Sequence, residues 1–247
     1  MYRLCPKCGF DNAKEEDNTV CPQCGLVYEK WLKNQFKSKE AAQPASTRST
    51  SLSFYQELKK RLLYVPKHFS RQHFYVNVVI YLVFFTWGWS FILADHYSAE
   101  LNQSFMHVIN LVFHEAGHVI FTLLGNFMRI IGGSLLQLIV PLVILFSLLI
   151  KNKDTFGASI GLWWFSQSLM DLVSYINDAE RQEMWLLGGV QGKDMPGIHD
   201  WNNILSELDM LQSAHGIATL TSWSAITLML VAFVWGAVLL KKMYKSV

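Results

Sequence analysis

Five apolar runs, residues 74–94, 105–125, 133–150, 157–176 and 222–240, each approach the roughly 20 residues an α-helix needs to cross the hydrocarbon core of a bilayer. No other feature narrows the fold as much. The composition agrees, with 51% hydrophobic residues and only 16% charged, against about 25% charged in soluble domains. The expectation is an all-α polytopic membrane helix bundle of about five transmembrane helices. A net charge of +2, with no basic face beside stacking aromatics, argues against nucleic acid as a partner. Residues 1–30 are polar and cysteine-bearing, unlike a cleavable targeting sequence.

All four cysteines lie in that first stretch, "CPKCGFDNAKEEDNTVCPQCG", as Cys5, Cys8, Cys21 and Cys24. Two C-x2-C pairs supply four thiolates to one tetrahedral ion, and the glycine after each pair lets the backbone turn around it. A module of about 30 residues buries too little apolar surface to fold without such a staple. The CPxCG knuckles resemble those of zinc-ribbon domains over residues 1–30, which implies a small N-terminal zinc ribbon with one structural zinc, rubredoxin-like iron being the alternative. Reduced thiols place it in the cytoplasm, where a ribbon is a natural site for recruiting a cytoplasmic partner.

Residues 31–53, "WLKNQFKSKEAAQPASTRSTSLS", have no sustained apolar period and read as a flexible linker. Residues 54–73 form a juxtamembrane amphipathic segment, with Phe54, Tyr55, Leu58 and Leu62 near one helical face beside Lys59, Lys60 and Arg61. The membrane domain is then 74–247. Arg61, Lys67 and Arg71 ahead of the first span favour a cytoplasmic N-terminus in the inner membrane of a bacterium. Five spans send the C-terminus outside, yet Lys241, Lys242 and Lys245 in the tail prefer the inside. Either one run is re-entrant, a further segment enters the membrane, or the tail breaks the charge rule.

The second run contains "LVFHEAGHVIF". His114 and His118, four residues apart, project from one helical face and can hold one metal ion. Glu115 lies about 100° round the helix, where it reaches a metal-activated water instead of competing as a ligand. Ionisable groups inside a membrane helix cost about 2.5–3.5 kcal/mol each, so a cluster there marks function more often than a hydrogen-bonded core. His107 stands seven residues before His114, about 10.5 Å along the axis, too far to share the ion. It reads as a cavity-lining or core residue.

A hydrolytic zinc site needs a third protein ligand and an open position. One source is the fourth run, where Gln167, Asp171, Tyr175 and Asp178 line one face of an apolar helix. The other is "MPGIHDWNNIL", where Asp200 has the position of an ordinary N-cap while His199 has no comparable structural excuse.

With these residues in place the chain resembles intramembrane zinc metalloproteases of the site-2 protease class. The resemblance rests on "HEAGH" in a transmembrane helix and spans about residues 104–212. It implies His114 and His118 as ligands of a catalytic zinc and Glu115 as general base. That class takes its third ligand from an aspartate in a D-G motif. Asp200 aligns with it, but Trp201 replaces the glycine, so the third ligand stays open among Asp171, His199 and Asp200.

"GGSLLQLIVP" adds Gly132 and Gly133, which suit backbone approach or small-residue packing, and Gln137 and Pro141 on one face. Gln137, Gln167, Tyr175 and Asp178 are candidates for orienting ligands or contacting substrate. Gly132–Gly133 and Gly188–Gly189 are candidate hinges or strand-pairing sites for an unwound substrate. The expected activity is a zinc-dependent intramembrane peptidase cutting a membrane-protein substrate. The alternatives are a hydrolase of lipid amides or esters, and a non-catalytic zinc-binding scaffold. An iron oxygenase of the desaturase type needs further paired-histidine boxes that the sequence lacks.

Overall fold

The computed structural model describes residues 3–11, 19–40, 47–66, 70–98 and 101–246. The chain divides into two compact units, Met1–Glu57 and Leu58–Val247.

The first unit is built on two matching turns. In each, a glycine amide donates back to the first cysteine of its pair, Gly9 to Cys5 and Gly25 to Cys21, both at 2.9 Å. Both glycines sit at positive φ, 73° and 69°, a conformation that disfavours any side chain. Bridges Leu4–Asp11 and Val20–Val27 flank the turns. Helix α1 (Tyr28–Glu40) follows, and α2 (Thr47–Leu62) runs across the division between the units. Much of the stretch expected as linker is therefore helical, while 41–46 lie outside the described residues. Its lysines, glutamates and glutamines are strong helix formers even without an apolar stripe.

The second unit is a helical bundle, and four of its helices are long and apolar enough to cross a membrane: Arg71–Leu93, Phe105–Leu124, Asn126–Lys151 and Leu211–Tyr244. These contain α3 (Arg71–Leu93), α4 (Phe105–Phe121), α5 (Asn126–Phe146) and α8 (Ala214–Tyr244). Large apolar side chains such as Val79, Leu82, Val143, Phe146, Trp223 and Val234 point outward, an arrangement suited to lipid. Helix α6 (Thr155–Asn177), expected as a fifth span, carries Ser159, Ser166, Gln167, Ser168, Asp171 and Ser174, all buried. It is the hub of the bundle, so its composition answers to polar protein neighbours more than to lipid. Between α6 and α8 come a short hairpin, β1 (Trp185–Leu186) with β2 (Val190–Gln191), and α7 (Asp200–Glu207).

Indole groups fasten the helices to one another. Trp163 Nε1 donates to the Phe84 carbonyl at 2.9 Å, and Trp201 Nε1 to Ser134 Oγ at 3.1 Å. The core between α3, α6 and α8 holds Phe91, Trp163, Met170, Met229 and Phe233. At one end of the bundle, the tail end, Trp235 Nε1 donates to the Leu62 carbonyl (2.7 Å), Lys242 Nζ to Leu63 O (2.9 Å) and Thr155 Oγ1 to Tyr64 O (2.6 Å). The lysine-rich tail thus packs beside the entry to α3. At the opposite end His96 meets Ser222, His215 meets Asn177, and Asn102 meets Ser174.

Candidate metal centres

The four thiols of the first unit converge, with Sγ–Sγ separations of 3.7 Å for both Cys5–Cys24 and Cys8–Cys21. Metal–sulfur bonds of about 2.3 Å in a regular tetrahedron set edges of about 3.8 Å, so these residues could hold one ion. The crowding splits their acidities. Burial raises the Cys5 thiol, but amides of Cys8 and Lys7 outweigh it and bring it down to about 6. An amide at Phe10 lowers Cys8, but burial and the neighbouring thiols push it up to about 12.

The second centre is built where α4 crosses α5. A Cβ on Gly117 would lie 2.1 Å from the Gly132 carbonyl oxygen, so the two backbones touch there and only glycine fits. That contact brings the histidine face of α4 against α5. His114 Nδ1 meets Gln137 Oε1 at 3.1 Å, and His118 Nδ1 meets the Arg129 carbonyl at 2.8 Å.

The orientation of Gln137 is fixed by two acceptors on its amide nitrogen, Ser168 O at 3.3 Å and Asp171 Oδ2 at 3.2 Å. Its oxygen therefore faces His114. Both Nδ1 atoms must then carry the hydrogen, which leaves both Nε2 atoms as bare lone pairs in the neutral rings. Each lies 3.2 Å from the same atom, Asp200 Oδ2. Three acceptors facing one another are stable only around positive charge. Nitrogen and oxygen ligands at about 2.0–2.1 Å from a tetrahedral ion stand about 3.3 Å apart, so the donor set fits a metal.

Asp200 owes its position to its neighbours. His199 caps α7, its Nδ1 accepting from the Asn202 amide at 3.2 Å, and its Nε2 lies 3.4 Å from Asp178 Oδ2. The roles weighed from sequence are thus exchanged: the histidine is the cap, and the aspartate in the first turn is free to face the centre. Tyr175 grips Asp200 twice, its hydroxyl donating to Oδ2 at 3.2 Å and accepting from the Asp200 amide at 2.9 Å. Asp178 also accepts from the amides of Glu183 and Met184, at 3.0 and 2.9 Å.

Asp171 is committed elsewhere. Its Oδ1 meets His107 Nδ1 at 2.9 Å, and its Oδ2 takes Asn110 Nδ2 (3.1 Å) besides Gln137. Asn110 accepts from Trp164 Nε1 and Ser168 Oγ, both at 3.0 Å, and also donates to Gln167 Oε1 at 2.9 Å. A continuous chain runs from Trp164 through Asn110, Asp171 and Gln137 to His114. Gln167 Nε2 is buried without a partner among the described residues.

The centre opens into a cavity of about 530 Å³. Glu115 is exposed and lines it, its ligating atom within 4.8 Å of those of His114 and His118. His107, Tyr175, Trp185 and Leu187 are also in the wall. Sequence reasoning missed Asn110, although it stands four residues before His114 on the same face, a spacing that could have revealed it. It also missed the Arg129 carbonyl, a backbone atom that side-chain patterns do not mark. Comparison with protein families, curated proteins and solved structures finds no match for this chain.

Proposed function

We propose that the second unit is a metal-dependent intramembrane peptidase of the site-2 protease type and that the first is a zinc ribbon. One observation carries the reading: two bare imidazole nitrogens and a carboxylate oxygen converge at 3.2 Å, held by a rigid set of partners, with a free glutamate beside them. His114, His118 and Asp200 are the ligands, and Asp171 and His199 are positioning residues. A divalent ion held there, zinc by its N2O donor set, supplies Lewis acidity that acidifies water and polarises a carbonyl.

The chain's own groups do the rest. Glu115 takes one proton from the attacking water as its oxygen bonds to the carbonyl carbon, and returns a proton to the nitrogen as the C–N bond breaks. Gln137 and the Arg129 carbonyl hold the imidazoles in the tautomer that keeps Nε2 available. Tyr175 fixes the Asp200 carboxylate.

A peptide fits this cavity better than a lipid ester does. Strand β1 pairs only with β2 among the described residues, and its Trp185 and Leu186 line the cavity wall. Its second edge offers backbone groups to an extended peptide. A helical substrate must unwind to use it, because its own amides are already bonded.

The test is metal content. Purified full-length protein should hold two equivalents, and the His114→Ala/His118→Ala variant one. Glu115→Gln should keep both and lose hydrolysis of a membrane-anchored reporter peptide. One equivalent in both proteins would sink the peptidase reading and leave a ribbon-bearing scaffold.

A further inference from the structure

The two ends of the bundle differ in charge. From residue 58 onward the chain has thirteen lysines and arginines. Ten of them fall in 59–71, 151–153 and 241–245, and three elsewhere: Arg129, Arg181 and Lys193. Lys67 lies outside the described residues; the other nine belong to segments at the tail end, where Lys242 bonds Leu63, Trp235 bonds Leu62, and Thr155, just after 151–153, bonds Tyr64. The stretch 178–209 at the opposite end carries Asp178, Glu180, Glu183, Asp194, Glu207 and Asp209.

The cavity belongs to that acidic end. Its wall draws on Asn102, on 184–187, and on Gly197, Ile198 and Asp200, and on no residue of the three basic segments. Helices α3, α5, α6 and α8 each connect the two ends. In α5, Ser134 bonds Trp201 at the cavity end, and Leu145 packs on Gly161 toward the tail end. Helix α4 differs, although it is apolar enough to span. It follows Asn102, which bonds Ser174 near the end of α6, and it finishes with Gly117 and Phe121 against Gly132 in the first half of α5. It therefore enters and leaves on the cavity side. Four crossings then place both basic termini on one face, and the conflict over the tail disappears.

We infer that the cavity opens on the membrane face opposite the tail and the entry to α3, the non-cytoplasmic face. The ten-to-three charge asymmetry puts the tail end inside. Resting on the peptidase reading, the substrate class follows: a bond in the outer half of a transmembrane segment or in the extracytoplasmic stretch that flanks it.

Sidedness is tested with the full-length chain in intact cells and a membrane-impermeant maleimide. Lys193→Cys and Lys245→Cys are both exposed positions at opposite ends, and the unsubstituted protein supplies the background labelling that is subtracted from each. Lys193→Cys should be labelled in intact cells, and Lys245→Cys only after permeabilisation. Labelling of Lys245→Cys alone would overturn the orientation. Labelling of both before permeabilisation, or of both only after it, would overturn the four-crossing arrangement. Neither readout needs metal or hydrolysis, so an inactive wild-type enzyme with the expected labelling would sink the peptidase reading and leave the sidedness standing.

Discussion

Gly133 offers the sharpest perturbation of the proposed membrane centre, because it removes no ligand. A Cβ built there lies 2.6 Å from both His114 Nε2 and His118 Nε2, and 2.7 Å from His118 Cε1. Ordinary contact begins near 3.4 Å, so Gly133→Ala must displace two imidazoles by about 0.8 Å each. Ligand distances tolerate about 0.2 Å and site geometry about 0.5 Å, so the displacement exceeds both. The rings cannot retreat freely, since Gln137 and the Arg129 carbonyl hold their other nitrogens. The expected outcome is loss of one of two metal equivalents, read by elemental analysis of detergent-purified protein, with the ribbon equivalent retained. Gly216→Ala, in α8 with nothing within 4 Å of the added carbon, is the control and should keep both. Gly117→Ala calibrates misfolding, because its Cβ meets backbone at 2.1 Å and should lower the melting temperature as well. Two full equivalents and wild-type hydrolysis in Gly133→Ala would refute the assignment of the two Nε2 atoms as ligands.

Three further outcomes follow from the same geometry. Tyr175→Phe removes both bonds to Asp200 and should weaken metal affinity at the membrane centre about 10–100-fold in a chelator competition while the bundle stays folded. Cys8→Ser should remove one metal equivalent and leave the membrane centre loaded, which separates the two sites by stoichiometry. Burial raises Asp178, but His199 and the amides of Met184 and Glu183 outweigh it, so its folded value lies below the ordinary one. The stability it contributes is present above about pH 4, its unfolded-state value, and is lost as pH falls through the lower folded value. Asp178→Asn should therefore cost about 1–3 kcal/mol at neutral pH in thermal unfolding, with the difference from wild type fading in acid; an equal deficit at all pH values would contradict this.

Much of the bundle was legible because its signals are local. Apolar runs located four helices by length alone, and CPxCG spacing located the cysteine cluster. What the sequence could not convey is which apolar helix faces lipid. Runs 105–125 and 157–176 both read as apolar spans, yet α6 carries a row of buried polar side chains and α4 packs its histidine face on α5. That distinction is made by contacts across more than thirty residues, such as Ser174 to Asn102 and Gln137 to Asp171. Hydropathy carries no term for them.

The exchange between His199 and Asp200 shows the same limit within two residues. Aspartate is the better N-cap by intrinsic preference, and histidine is the commoner metal ligand, so sequence statistics favour the roles opposite to those the fold adopts. Tertiary contacts decide between them. His199 Nδ1 takes the Asn202 amide while its Nε2 lies 3.4 Å from Asp178 Oδ2, and Tyr175 bonds Asp200 through both its backbone amide and its carboxylate. Trp201, in the place where the site-2 protease pattern has glycine, donates from its indole to Ser134 next to Gly133. The departure from the pattern thus adds a direct link between the segment that carries Asp200 and the helix packed against the two histidines, and in the proposed centre that link would hold the third ligand in register.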